Sequence, residues 1–108
     1  MKKPIGKFHR KKNGLLSYEI FTPYDDIFFD IVFKVAHKFY FAYYFDFLVF
    51  QCYATLTRDN VEIVIGWHKS RGIYVETFSK EGNQVVREIG DYLNSILDEL
   101  KWGQSSSA

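Results

Sequence analysis

Cysteine is almost missing from this chain. Cys52 is the only one, so no internal disulfide can form, and the chain suits a reducing compartment such as the cytoplasm. A lone cysteine inside an aromatic, strand-like run reads as a small buried hydrophobe. An apolar leader segment is also lacking. The opening Met-Lys-Lys-Pro-Ile-Gly-Lys has the cations of a signal peptide without its hydrophobic region, so no export is expected. A spanning helix needs about 20 mainly apolar residues. The richest run, residues 39–57, is interrupted by Asp46 and Gln51, is full of tyrosine, and is flanked by Lys38 and Arg58. It reads as a buried strand, and no membrane partner is expected. No phosphate-binding glycine loop, Cys-x-x-Cys or His-x-x-x-His is present. The three histidines, His9, His37 and His68, have no ligand spacing, so neither a metal nor a cofactor is expected.

What the chain has is aromatic bulk. Its 108 residues suit one domain, and 19% of them are Phe, Trp or Tyr, enough apolar surface for a core without staples. Charge is unevenly placed. Residues 1–12 hold six cations and no acid; the remaining 96 hold eight cations and all 13 acids. A mildly acidic body thus carries a basic arm over residues 1–13. That arm either touches nucleic acid or an acidic partner, or is a solvated terminus; the second reading is preferred.

Residues 15–21 alternate as a short strand after the turn signal Asn13-Gly14. Thr22-Pro23-Tyr24-Asp25-Asp26 reads as a helix start, with Thr22 as cap and Pro23 at the first helical position. Over residues 27–39, Phe28, Val32, Val35, Ala36 and Phe39 form a stripe, and Asp30 precedes Lys34 by one turn. The β-branched and aromatic content leaves a strand as the alternative there. Residues 43–57 predict one long strand, with Leu48, Phe50, Cys52, Ala54 and Leu56 on the core face. A tight connection at Arg58-Asp59-Asn60 leads to a strand over residues 61–68, a turn at 69–72 and a strand over 73–78. Ser79 can cap a final helix whose stripe is Val86, Ile89, Leu93, Ile96 and Leu100. Residues 103–108 read as a disordered tail. The expected architecture is α+β within residues 14–102, β-α-β-β-β-α: an antiparallel meander of about four strands with two helices.

If both helices cover one sheet face, strand parity assigns the other face Phe47, Val49, Gln51, Tyr53, Thr55, Glu62, Val64, His68, Tyr74 and Glu76. That mixture suits protein binding, and a second packing layer or a homodimer seam would use it equally well. Chemistry is a weaker reading. Cys52 and His68 fall on opposite faces, and a buried thiol is inert; His68 with Glu62 or Glu76 is a common polar pairing without catalysis. No enzymatic activity is expected. Single-stranded nucleic acid is also disfavoured, since Glu62 and Glu76 would repel phosphate and the aromatics lie away from the cations.

Two segments carry a resemblance. Ile65-Gly66-Trp67-His68-Lys69-Ser70-Arg71-Gly72-Ile73-Tyr74-Val75 and Glu81-Gly82-Asn83-Gln84-Val85-Val86-Arg87-Glu88-Ile89-Gly90-Asp91-Tyr92-Leu93 resemble small bacterial immunity proteins, the antitoxins of polymorphic-toxin and contact-dependent growth inhibition systems. The resemblance covers about a third of the chain. It implies a cytoplasmic protein that binds and neutralises one cognate toxin domain, often a nuclease, and it carries no catalytic residues. The expected partner is therefore a basic toxin domain, met by Asp59, Glu62, Trp67, His68, Arg71, Tyr74 and Glu76. Trp67 has a competing place on the core face. A homodimeric interaction protein is the alternative, and a nucleic-acid module using the basic arm is the third.

Overall fold

The computed structural model describes residues 6–22 and 25–100. The chain runs β1 (Gly6–Arg10), β2 (Leu16–Ile20), α1 (Phe28–Phe39), β3 (Ala42–Phe47), β4 (Gln51–Arg58), β5 (Val61–His68), β6 (Gly72–Thr77) and α2 (Gly82–Ile96), closing in a 3₁₀ turn at Leu97–Glu99. All six strands form one antiparallel sheet in the order β1-β2-β6-β5-β4-β3. The α+β class with two helices is as expected; the sheet has six strands rather than about four. Among the described residues, no helix is long and apolar enough to cross a membrane.

The two extra strands have separate causes. Residues 6–10 belong to the sheet, so the stretch Gly6–Arg10 of the expected arm is a strand; residues 1–5 lie outside the described residues. Asn13-Gly14 turns a hairpin whose second strand is β2, with Gly14 at φ 87° and Phe8 opposite Tyr18. The predicted long strand over residues 43–57 is a second hairpin. It breaks at Leu48-Val49-Phe50, where the Leu48 N–H donates to the Gln51 carbonyl at 2.8 Å. Leu48 and Phe50, expected in the core, are therefore exposed. Beyond the break the alternation holds: Cys52, Ala54 and Leu56 face inward, while Gln51, Tyr53 and Thr55 face the other way.

Both helices lie on one face. The α1 stripe of Phe28, Ile31, Val32, Val35 and Ala36 is buried, resolving residues 27–39 as helix. Phe29 and Phe33 reach the β3 aromatics, with Phe29–Phe45 centroids 5.2 Å apart and Phe33–Tyr43 5.8 Å apart. The helix begins without a side-chain cap, at Ile27, so Thr22 does not cap it; Pro23 lies outside the described residues. Asp30 and Lys34 pair at 3.7 Å, a contact worth a few tenths of a kcal/mol. α2 buries Val85, Val86, Ile89, Gly90 and Leu93 over the other half of the sheet. It starts at Glu81 without a side-chain cap, so Ser79 is not its cap either. Between helices and sheet sit Ile20, Leu56, Ile63, Ile65, Ile73 and Val75, all fully buried. Burial of this apolar surface, about 25 cal/mol per Å², is what holds the two layers together.

α1 ends at Tyr40 in the left-handed region, φ 61° and ψ 46°, and the Phe41 N–H returns to the Ala36 carbonyl at 3.0 Å. This is a position for glycine, yet it holds a tyrosine that is 85% exposed and has little packing to lose. Tyr40→Gly is expected to raise stability by about 1 kcal/mol. Urea denaturation checks this, and a lower midpoint in the variant would contradict it.

Candidate functional site

The sheet face opposite the helices is the candidate site. Antiparallel partners share a face, so the register reads directly as rows of side chains. One row runs Asp46, Tyr53, Gly66, Tyr74, Glu19, Lys7; the next runs Tyr44, Thr55, Val64, Glu76, Ser17, His9. Gly66 sits where any side chain would strike its neighbour, since an added Cβ would lie 2.2 Å from Tyr74 Cζ. The Tyr74 ring therefore lies flat across the glycine and is only 6% exposed.

On that ring sits Arg71, its guanidinium carbon 4.2 Å from the centroid. Arg71 Nη2 donates to Glu19 Oε2 at 2.5 Å and to Glu76 Oε2 at 3.1 Å. Lys11 Nζ reaches the same Glu76 oxygen at 2.7 Å. Two cations and two carboxylates thus form a closed cluster from strands β2 and β6 and the β1–β2 and β5–β6 turns. Burial alone would push the Glu76 carboxyl up, but the Lys11 hydrogen bond and the Arg71 charge outweigh it and hold Glu76 below its ordinary range. Burial likewise opposes the charge on Arg71, and Glu19 and Glu76 more than offset this, so the guanidinium is held protonated more firmly. Around the cluster the face stays open. Tyr53, Thr55, Glu62, Val64, Tyr74 and Glu76 line a shallow depression of about 350 Å³. The Asp46 carboxylate beside Tyr53 pushes that phenol up.

The seven residues expected from sequence do not form one cluster. Arg71, Tyr74 and Glu76 meet as described, and Glu62 shares their depression. His68 stands on the same face at the end of β5, where the Ser70 N–H donates to its Nδ1 at 3.0 Å. Asp59 lies in the β4–β5 turn at φ 50°, beside Asn60 at φ 69°. It is at the far end of β5 from Arg71, roughly 24 Å along an eight-residue strand, and serves the hairpin turn. Trp67 packs against the core, which settles its competing placement in favour of the helix side. Phe47 is also on the helix side, stacked with Phe45 at 6.2 Å, and Val49 is at the hairpin tip; the break at residues 48–50 cancels the parity that put them on the open face.

Sequence reading missed Lys11 and Glu19. Glu19 was findable, because it sits between Tyr18 and Ile20 and must face away from both. Lys11 was hidden in the presumed arm. Cys52 pairs with Trp67 on the helix side; burial first, and then the charge of Asp25, push its thiol up, which disfavours the reactive thiolate. Among the described residues no group of three or more His, Cys, Asp or Glu side chains is placed to hold a metal ion. Glu62 and Asp46 are the carboxylates of this face that enter no ion pair among the described residues. Comparison of this chain with protein-family models, with curated proteins and with solved structures found no significant match.

Proposed function

We propose that this chain is an immunity protein, which binds a basic toxin domain, probed first as a nuclease, through its helix-free sheet face and so neutralises it in the cytoplasm. The observation that carries the reading is that face itself: an internally neutral centre of Arg71, Lys11, Glu76 and Glu19 around Tyr74, rimmed by exposed Tyr44 and by Asp46 and Glu62, carboxylates that enter no ion pair among the described residues. A centre held by its own ion pairs loses little side-chain entropy on binding. The rim carboxylates attract Lys or Arg on the approaching partner and speed encounter. The resemblance of residues 65–75 and 81–93 to immunity proteins supports the same reading. Asp59 and Trp67 leave the set of binding residues; Glu62, His68, Arg71, Tyr74 and Glu76 remain, with Asp46, Tyr44 and Tyr53 added.

The test is a tagged pull-down from native-host lysate, with and without nuclease treatment, read by mass spectrometry. One stoichiometric polypeptide that survives nuclease is the expected result. Its association rate should fall about tenfold or more at low salt for Glu62→Lys, while Asn60→Gly, in the distant turn, leaves the rate unchanged. Recovery of nucleic acid, or loss of every bound protein on nuclease treatment, overturns the proposal.

A further inference from the structure

Strand β3 is one edge of the sheet, and among the described residues it lacks the protection that edges ordinarily carry. Natural edges are blunted by lysine, proline or a covering element. The opposite edge follows that rule, since β1 carries Lys7 and Arg10. β3 has neither lysine, arginine nor proline, and Asp46 is the single charge in residues 39–50. The aromatics along this edge are exposed as well: Tyr43, Tyr44 and Phe47 on β3, and Phe29 and Phe33 on α1 beside it, are each 39–65% accessible.

The backbone adds direction. Leu48 donates to Gln51 across the hairpin, and in an antiparallel ladder hydrogen-bonded pairs alternate. The even-numbered residues of β3 therefore turn their N–H and C=O toward β4. Tyr43, Phe45 and Phe47 turn theirs outward, away from the sheet.

From this we infer that β3 is the seam of a two-fold homodimer, in which β3 of a second copy adds antiparallel and the two sheets become one of twelve strands. The register is constrained. Helix-side residues must oppose helix-side residues, and outward backbone must meet outward backbone. Placing Phe45 opposite Phe45 of the second copy meets both conditions and pairs Tyr43 with Phe47 of the second copy at each end. All three outward residues of each strand are then satisfied. On the open face the same register sets Tyr44 opposite Asp46 of the second copy, giving the carboxylate a second phenol donor beside Tyr53 of its own chain. A shift of two residues one way sets Asp46 against itself; a shift the other way leaves it facing Ala42. The five aromatics offer on the order of 500 Å² per subunit at roughly 200 Å² each. The strand backbone and Leu48 add to this, toward the about 800 Å² per partner of a stable complex. The seam is separate from the Arg71–Glu76 cluster and does not depend on the function proposed above, although it takes in Tyr44 and Asp46 from the rim of that face and leaves Glu62, His68, Arg71, Tyr74 and Glu76 free for another partner.

Light scattering after size exclusion, from micromolar to about millimolar chain, should give twice the 12.8 kDa of one chain. Tyr43→Lys, at an outward and accessible site, should raise the dimer dissociation constant tenfold or more while the circular dichroism stays unchanged. A second measurement stands apart from that variant's folding. In a Cys52→Ser background, Tyr44→Cys and Asp46→Cys proteins are mixed and oxidised. A disulfide should form between the two variants and not within either alone, because like positions lie too far apart for a disulfide across this register. A monomer at every concentration overturns the inference. So does a dimer indifferent to Tyr43→Lys, or cross-linking of either cysteine variant with itself as readily as in the mixture.

Discussion

Gly90→Val should lower the melting temperature by about 10–20 °C, the equivalent of roughly 3 kcal/mol in a domain of this size. Gly90 lies in the buried stripe of α2. A Cβ there would come within 2.4 Å of Phe8 Cζ and 2.7 Å of Tyr18 Cδ1. Phe8 has some room to move, since it is only partly buried. Tyr18 has none: it is fully buried, and its hydroxyl is bound to Asn94 Oδ1 at 2.7 Å. The helix must therefore lift, and its contacts with β1 and β2 go with it. The gain in helix propensity over glycine, under about 1 kcal/mol, does not offset this. Phe8→Ala added to Gly90→Val makes the test specific. The second change should recover at least about 1 kcal/mol relative to its cost in the parent, the non-additivity expected of groups in contact. A silent Gly90→Val, or a Phe8→Ala cost equal in both backgrounds, would mean that β1 is not wedged beneath α2.

Glu76→Gln should cost about 2 kcal/mol at neutral pH, a figure already reduced because Arg71 and Lys11 are each about a third exposed. The glutamate itself is 14% exposed and holds both cations. Removing its charge leaves Lys11 and Arg71 facing each other across a neutral amide. Acid should reveal the same contact. The folded-state pKa of Glu76 is depressed, so its contribution is full above the ordinary value of 4.5 and is lost as pH falls through the lower folded value. Parent and variant should therefore differ most at neutral pH and converge in acid. Stability curves that stay parallel from pH 7 down to acid unfolding would show that Glu76 is not the group linked to the proton.

Much of this fold is legible in local pattern. The bounds of β5 follow from the alternation of Val61, Ile63, Ile65 and Trp67, and α2 follows from the spacing of Val86, Ile89 and Leu93. The β3–β4 hairpin is illegible for a physical reason. Leu48-Val49-Phe50 contains no glycine, asparagine or proline, so the usual turn chemistry is absent, and its apolar residues stand 56–88% exposed where a strand pattern expects burial. β1 hides differently. Four of its five residues are glycine or polar, and Phe8 alone supplies the inward face. Asn13-Gly14, read only as the turn before β2, joins it to β1, and a pair of that kind is also the signal for a strand ahead of it. The open face was readable wherever parity ran unbroken, as at Glu62, Tyr74 and Glu76. It failed beyond the unseen turn, at Phe47 and Val49, and at Lys11, whose partner lies 65 positions away.

The strand order also sets a timetable. Ile20 pairs with Ile73 and Ser17 with Glu76, so the first hairpin to leave the ribosome has no neighbour until β6 has emerged. Closing a loop of that length carries a large entropic toll. Through that interval Tyr18 and Ile20, fully buried in the finished protein, stand uncovered on the nascent chain. The meander from β3 to β6, joined only by short turns, needs no such wait. The buried face of the amino-terminal hairpin is thus completed only by β6 and α2, both made after it.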